Sequence, residues 1–428
     1  MNANEIAVIL ADQREDYLNE DLSQYCSRSE EAMLSLESKL AQVVIGVRRC
    51  GKSTMCTKFL LEHSASCAYV NLDDERLAGL KREELNTLLE AIYIVYGDVP
   101  VLYFDEIQNV DGWPLFVNRL LRQKKHIFLT GSNSKLLSNE LMTHLTGRHN
   151  KVELFPLSFY EYCQLRHIDL ESITTKAEGL RKGALLDYIS KGGFPELIAE
   201  PNRKGYIDGL FNTIIKNDIA KRFKIRNVDV LKSIASYLAE NYAQEYRPKA
   251  LAELFGVSNH TVDNYYGYLK EAFLLIGVKQ FSYKAKERLH NEKCYVTDIA
   301  LSTDHAGAFS MENIGWRLEN AVCVELLRRY HCQYAEVYYF RNKSFEVDFV
   351  VAKDGHVLEL IQVCYDLSSP KTLKRELKGL TEGAKMFRCS KLTLITLEQS
   401  EQIDIENYQV QVVPAVKWFC TREENLEG

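Results

Sequence analysis

Short apolar runs alternate with amphipathic stretches through the first third of the chain. Leu40-Ala41-Gln42-Val43-Val44-Ile45 is apolar and partly β-branched, which predicts a buried strand. Residues 54–63 follow with helical spacing. Residues 68–72 predict a second strand, ending at Asp73-Asp74-Glu75-Arg76. That acidic cluster at a strand end is either an active-site lining or, the favoured reading, a solvated helix start with its acids on the N-terminal dipole. Val101-Leu102-Tyr103-Phe104 predicts a further strand that ends in two carboxylates, Asp105 and Glu106. A loop and a helix carrying Trp113, Phe116, Leu120 and Leu121 lead to another strand over residues 127–133. Residues 1–39 read as polar helix with Ile6, Ile9 and Leu10 on one face.

The pattern changes after residue 200. Residues 201–227 read as helix of mixed charge, and 229–242 as an amphipathic helix with Val230, Leu231, Ile234 and Leu238 on one side. Residues 250–258 read as a short helix, a glycine turn at Gly256 and an N-capping Ser258. A second helix over 259–272 completes a helix-turn-helix, and 273–282 with 292–299 read as the two strands of a wing. Beyond it, 316–330 reads as a helix carrying Glu319 and Glu325, and 337–341, 346–351, 357–364, 391–396 and 410–413 as strands.

Composition narrows the class. A chain of 428 residues, 46% hydrophobic, is long enough for two or three domains with real cores. A formal net charge of −6 gives no global nucleic-acid signature, so any basic surface must be local. Eleven scattered cysteines with no C-x-x-C pair fit reduced thiols better than a disulfide framework or a zinc site. The first twenty residues lack the apolar core of a signal peptide, and no run is long enough to span a bilayer. The expectation is a soluble, cytoplasmic protein with no membrane partner.

Candidate chemistry is concentrated in the loop after the first strand. Gly46-Val47-Arg48-Arg49-Cys50-Gly51-Lys52-Ser53 matches G-x-x-x-x-G-K-[ST], the P-loop, between a predicted strand and a predicted helix. Backbone N–H groups of such a loop and the following helix N-terminus cradle phosphate. The expected ATP-binding residues are Gly46, Arg48, Arg49, Cys50, Gly51, Lys52, Ser53 and Thr54. Lys52 reaches the β- and γ-phosphates, and Ser53 with Asp105 holds Mg²⁺. Glu106, one residue beyond Asp105, is the expected water-polarising base. The strand end at Ser132 and Asn133 offers a polar group to the γ-phosphate or its water, against the plain alternative of a Gly-Ser-Asn turn. Asn133 is the expected catalytic contributor of the two. Arg148 after Gly147 is either a structural arginine or one that stabilises transition-state charge, in its own site or across a subunit interface.

These motifs, with Leu154-Phe155-Pro156-Leu157-Ser158-Phe159 and Gly192-Gly193-Phe194-Pro195-Glu196, resemble a prokaryotic group of AAA-type P-loop ATPases. The C-terminal half of that group is catalogued as a domain of unknown function. The resemblance covers nearly the whole chain and implies ATP and Mg²⁺, but no pathway.

In the predicted helix-turn-helix, Asn259, His260, Thr261 and Asn264 would face a DNA groove. Lys279, Lys284, Lys286, Arg288 and Lys293 make the wing locally basic, to hold phosphates. The alternative is a winged helix used for packing or protein contact, since its second helix carries Asp263, Glu271 and three tyrosines and no arginine. The last third resembles the restriction-endonuclease-like fold, in which an Asp and an E-x-K on adjacent strands bind metal and activate water. Asp348 stands at the first position, while the second reads Gln362-Val363-Cys364. A neutral amide and a thiol cannot supply the second carboxylate and the lysine, so a frame without nuclease activity is expected, with Asp348 a plain solvent-facing acid.

The expected architecture is α/β. An AAA+ P-loop NTPase domain with a parallel sheet (1–160) is followed by a helical lid and linker (161–227), a winged helix (228–302) and a nuclease-like α/β domain (303–428). Expected partners are ATP, duplex DNA or a protein, and further copies of the chain.

Overall fold

The computed structural model describes residues 1–64, 66–132, 147–284, 291–302, 311–331 and 333–421. The chain divides into two compact units, Met1–Leu154 together with Glu271–Phe273, and the remainder from Phe155 onward.

The first unit is built on five parallel strands: β1 (Ala41–Ile45), β2 (Cys67–Asn71), β3 (Val101–Asp105), β4 (His126–Gly131) and β5 (His149–Glu153), in the order β2-β3-β4-β1-β5. Every residue of β1 and β3 is buried, as expected of central parallel strands covered on both faces. Helices Lys52–His63, Leu85–Tyr96 and Trp113–Arg122 connect them. The N-terminal helix Ala3–Leu18 is closed by an Asn2–Glu5 capping box and buries Ile6, Ile9 and Leu10, as its periodicity predicts. The segment at 73–76 forms a single 3-10 turn, Glu75–Leu77, capped by Asp74. Strand β5 is not predicted by the apolar pattern. Its residues are polar and only Val152 is fully buried, because it is an edge strand pairing with β1 alone.

In the second unit, helices Phe159–Leu165, Thr175–Lys191 and Arg203–Thr213 precede a π-helical stretch, Ile214–Lys221. Helices Val228–Glu240, Pro248–Phe255 and Asn259–Glu271 then pack with a small antiparallel sheet: β6 (Gln244–Glu245), β7 (Leu275–Lys279) and β8 (Glu292–Val296), in the order β6-β8-β7. Gly256, at φ 65°, ends the Pro248–Phe255 helix in the left-handed conformation that glycine adopts cheaply. The Gly192-Gly193 pair has a packing role. Gly192 lies at φ 80°, where an added Cβ would stand 1.9 Å from Asp298 Oδ1. The Gly193 N–H donates to Asp298 Oδ2 at 2.8 Å, and its carbonyl accepts from the Leu157 N–H, also at 2.8 Å. The two motifs around Leu157 and Gly193 therefore meet.

The chain ends in a six-stranded mixed sheet: β9 (Glu336–Arg341), β10 (Glu346–Lys353), β11 (His356–Cys364), β12 (Leu392–Thr396), β13 (Glu401–Ile405) and β14 (Tyr408–Pro414). The order is β13-β14-β12-β11-β10-β9, with β11-β12 and β12-β14 parallel. Helices Met311–His331, Pro370–Phe387 and Ala415–Cys420 accompany it. Past the end of β7, Phe281 donates its N–H to the Tyr339 carbonyl at 2.6 Å and is buried among Tyr338 and Phe387. The hairpin read as a wing is thus anchored in the C-terminal core. Among the described residues no helix is long and apolar enough to cross a membrane.

Candidate active site

Parallel strands deliver their C-terminal ends to one edge of the sheet, where ligands of such folds collect. Here that edge gathers Gly46 after β1, Asp105 and Glu106 at the end of β3, and Gly131 and Ser132 at the end of β4. Gly46 is required by close approach: a Cβ there would lie 2.1 Å from the Leu154 carbonyl oxygen. Gly51, at φ 99°, turns the loop into the helix that begins at Lys52.

Lys52 is buried, donates to the Val47 carbonyl at 3.1 Å and stands 3.8 Å from Glu106 Oε1. The Ser53 hydroxyl donates to Asp105 Oδ1 at 2.8 Å, and Tyr69 reaches the other carboxylate oxygen at 3.5 Å. Burial and then the neighbouring Glu106 carboxylate push Asp105 up to about 6, against the opposing pull of its Thr130, Ser53 and Lys52 partners. Ser53 and Asp105 are hard oxygen donors brought together at a phosphate loop, and this set suits Mg²⁺.

Glu106 adopts a left-handed backbone, φ 51°, which costs a non-glycine residue about 1 kcal/mol or more. Several groups hold it there. The Thr130 hydroxyl accepts the Glu106 N–H at 3.0 Å and itself donates to Asp105. The Glu106 carboxylate accepts from the Gln108 amide, the Ser132 N–H at 3.3 Å and the Ser132 hydroxyl at 3.2 Å.

The remaining loop positions are supporting. Cys50 is buried, with its thiol directed to the Leu154 carbonyl at 3.3 Å, and burial pushes that thiol up. The buried Arg28 donates to the Cys50 carbonyl at 3.0 Å. Arg48 stands 3.8 Å from Asp73, Arg49 is exposed in a left-handed conformation, and Thr54 lies in the first turn of the helix. Asn133 and Lys286 lie outside the described residues.

Arg148 is not brought to this edge. Its carbonyl accepts from Ala41 N–H at the start of β1, and its guanidinium donates to Asn118 at 2.9 Å. A five-residue strand separates it from the P-loop by roughly 13 Å. The option that Arg148 serves its own nucleotide site is therefore corrected. Thr130 and Gln108 are the site residues that sequence reasoning missed. The Thr-Gly-Ser run at the end of β4 carries a signal for Thr130, its first position.

In the second unit, Asn259 and His260 are exposed, and Thr261 and Asn264 are half-buried. Asn264 and His260 contact each other at 3.2 Å. Tyr265 and Tyr266 of the same helix are buried, the latter stacked on Tyr246, while Tyr268 stacks on Phe223. Lys284 is exposed, but Lys293 is buried with ion pairs of its own, which corrects its reading as a phosphate-facing wing lysine. Asp348 is corrected too: it is only half-buried, yet its Oδ2 accepts the Val363 N–H at 2.9 Å and its own N–H is taken by Gln362 at 2.6 Å.

An AAA domain model matches residues 38–163, and two domains of unknown function, DUF8612 and DUF4143, match 182–312 and 315–418. The uncharacterized protein MJ1544 of Methanocaldococcus jannaschii is 35% identical over 402 residues, 89% of this chain and 88% of that one. The chain belongs to this family of AAA-domain proteins. An uncharacterized Haemophilus influenzae member is 31% identical over 423 residues, 91% of this AAA protein and 99% of its own length. Among solved structures, the Thermotoga maritima RuvB Holliday junction branch migration motor aligns at TM-score 0.28 and 17% identity, over 55% of this chain and 81% of that one, a likeness too weak to bear on function. The five-stranded parallel sheet and its P-loop are those of a nucleotide-binding P-loop fold.

Proposed function

We propose that this AAA protein binds Mg²⁺-ATP at the β1 loop and hydrolyses it, with Glu106 as the base. The observation that carries the reading is the fixed Glu106 carboxylate, held by Ser132 and Gln108 beside Asp105, Ser53 and Lys52. A carboxylate on that edge can take the proton of the attacking water. Lys52 would exchange its loop carbonyl for phosphate oxygens, and Ser53 and Asp105 would hold Mg²⁺, which when bound neutralises charge on the phosphates. Arg148 would complete the site of a neighbouring copy, so the active form would be an oligomer. The test is steady-state phosphate release. Wild type turns over ATP, and Lys52→Ala abolishes both turnover and nucleotide binding, because the phosphates lose their main cation. Turnover that survives in Lys52→Ala contradicts the proposal.

We read residues 161–227 as a lid and linker, 228–302 as a winged helix and 303–428 as a nuclease-like frame that does not cut. A neutral Gln362 amide and the Cys364 thiol, pushed up to about 11 by burial and by Glu376, supply neither carboxylate nor cation. A second reading is a nucleotide-gated DNA-binding switch with little turnover. It is favoured by Asn259 and His260, which stay exposed while the tyrosines of their helix turn inward. Phosphate release with and without duplex DNA separates the two: the switch predicts DNA binding that depends on ATP without stimulated turnover.

A further inference from the structure

The chain carries a net negative charge, so a run of exposed cations in it is local and informative. Residues 216–226 hold five, Lys216, Lys221, Arg222, Lys224 and Arg226, against the single acid Asp218. All five are exposed, whereas Asp218 is half-buried. Among the described residues Lys216, Lys221, Lys224 and Arg226 have no ion-pair partner.

The π-helical stretch Ile214–Lys221 sorts this segment into two faces. Its hydrogen bonds close at five residues instead of four, so side chains five apart share a face. Ile214 with Ile219, and Ile215 with Ala220, are buried on one face. Lys216 with Lys221, and Asn217 with Arg222, are exposed on the other. An α-helix would turn the members of each pair about 140° apart and scatter the cations. The chain then turns at Lys224, φ 52°, and the Ile225 N–H donates back to the Ala220 carbonyl at 2.9 Å. Lys224 and Arg226 extend the basic segment past the end of the helix.

Phe223, between Arg222 and Lys224, fixes where the segment sits. Its ring stacks on Tyr268, with centroids 3.8 Å apart and 11° between the planes. Tyr268 belongs to the helix Asn259–Glu271, where His260, Asn264 and Tyr268 recur four residues apart and so form one stripe. His260 is exposed, and Asn264 contacts it at 3.2 Å. A polar helix stripe therefore ends against a basic segment.

That pairing suits one class of partner. The major groove of duplex DNA is about 12 Å wide, admits a helix and is bordered by phosphates. The deep, narrow major groove of duplex RNA keeps side chains out. An acidic protein would match the charge but present no base edges to the stripe. We propose that Lys216, Lys221, Lys224 and Arg226 hold the phosphate backbone of duplex DNA whose groove receives the His260–Tyr268 stripe. The backbone contacts then come chiefly from the π-helical segment and less from the wing, where Lys293 is buried. The inference rests on the DNA-binding reading given above and not on ATP turnover.

The test is the fluorescence anisotropy of labelled duplex DNA titrated with the full chain over a range of salt concentrations. A Lys216→Gln/Lys221→Gln/Lys224→Gln/Arg226→Gln variant that melts like wild type should bind at least about tenfold more weakly, and equally so for every sequence. Its plot of log affinity against log salt should be shallower by about three units. Wild-type DNA binding with an unchanged slope in the variant overturns the proposal and leaves the DNA-binding reading standing. Absence of duplex binding by wild type at low salt overturns both. Wild-type affinity for duplex RNA of the same sequence, or for poly-glutamate, equal to that for DNA overturns the assignment of the partner. Should the quadruple variant fail to fold, Lys216→Gln/Arg226→Gln is read in the same way, with about half the change in slope.

Discussion

Thr130 connects the two carboxylates of the site, donating its hydroxyl to Asp105 and accepting the Glu106 N–H. Its replacement by valine preserves shape and removes both bonds, so Glu106 loses the contact that fixes its left-handed backbone. Turnover of Thr130→Val should fall about ten- to a hundredfold, with nucleotide affinity nearly kept, because misplacing a catalytic group acts on the reacting geometry. ATP-binding isotherms beside phosphate release check this, and a matching loss of affinity would make Thr130 a binding residue instead. At this scale the sequence was legible where chemistry is contiguous. Gly46 to Ser53 form one motif, and Asp105-Glu106 end one apolar run. Thr130 and Gln108 were not legible, because their roles come from the adjacency of β3 and β4 and from the turn after β3, which no local pattern states. Lys293 misled for the same reason: a strand lysine reads as solvated until its partners arrive from residues 319 and 346.

Elements with a full apolar face were predictable, and those defined by their neighbours were not. β1 and β3 announce themselves as continuous apolar runs, whereas β5 is an edge strand whose His-Asn-Lys start looks like loop. The glycine pair at 192–193 was legible as a motif but not as a joint, since its partner is Asp298, a hundred residues on. Burial pushes the Asp298 carboxyl up to about 6, while its bonds from Gly193 and Ala300 N–H pull down. Because the folded value lies above the unfolded one, this group's stabilising contribution is present below about pH 4 and is lost as pH rises through about 6. The melting-temperature advantage of wild type over Asp298→Asn should therefore shrink between pH 4 and pH 7, by at most about 3 kcal/mol in stability. An advantage that grows over that range would show an Asp298 value below, not above, its ordinary one.

For the molecule as a whole, Arg148 at the edge of the sheet opposite the P-loop leaves its proposed catalytic role only to a site on another copy. If it acts there, Arg148→Ala should lower turnover by orders of magnitude with little loss of ATP affinity. Mixing it with Lys52→Ala should restore part of the activity, since some mixed interfaces then pair an intact loop with an intact arginine. Activity that no mixture restores, with a lowered melting temperature for Arg148→Ala, would make the arginine structural. Four of the five parallel strands and the phosphate loop were legible from the spacing of apolar runs around one motif, whereas the strand order and the edge strand β5 were not. The anchoring of the hairpin at Phe281 and Lys293 was not, because both contacts span long sequence separations. The central claim is that Glu106 activates water for ATP hydrolysis, and Glu106→Gln addresses it most directly. ATP affinity and phosphate release should be measured on the same preparation. Affinity close to wild type with turnover lowered about a hundredfold or more is the predicted result. Turnover equal to wild type would contradict the account.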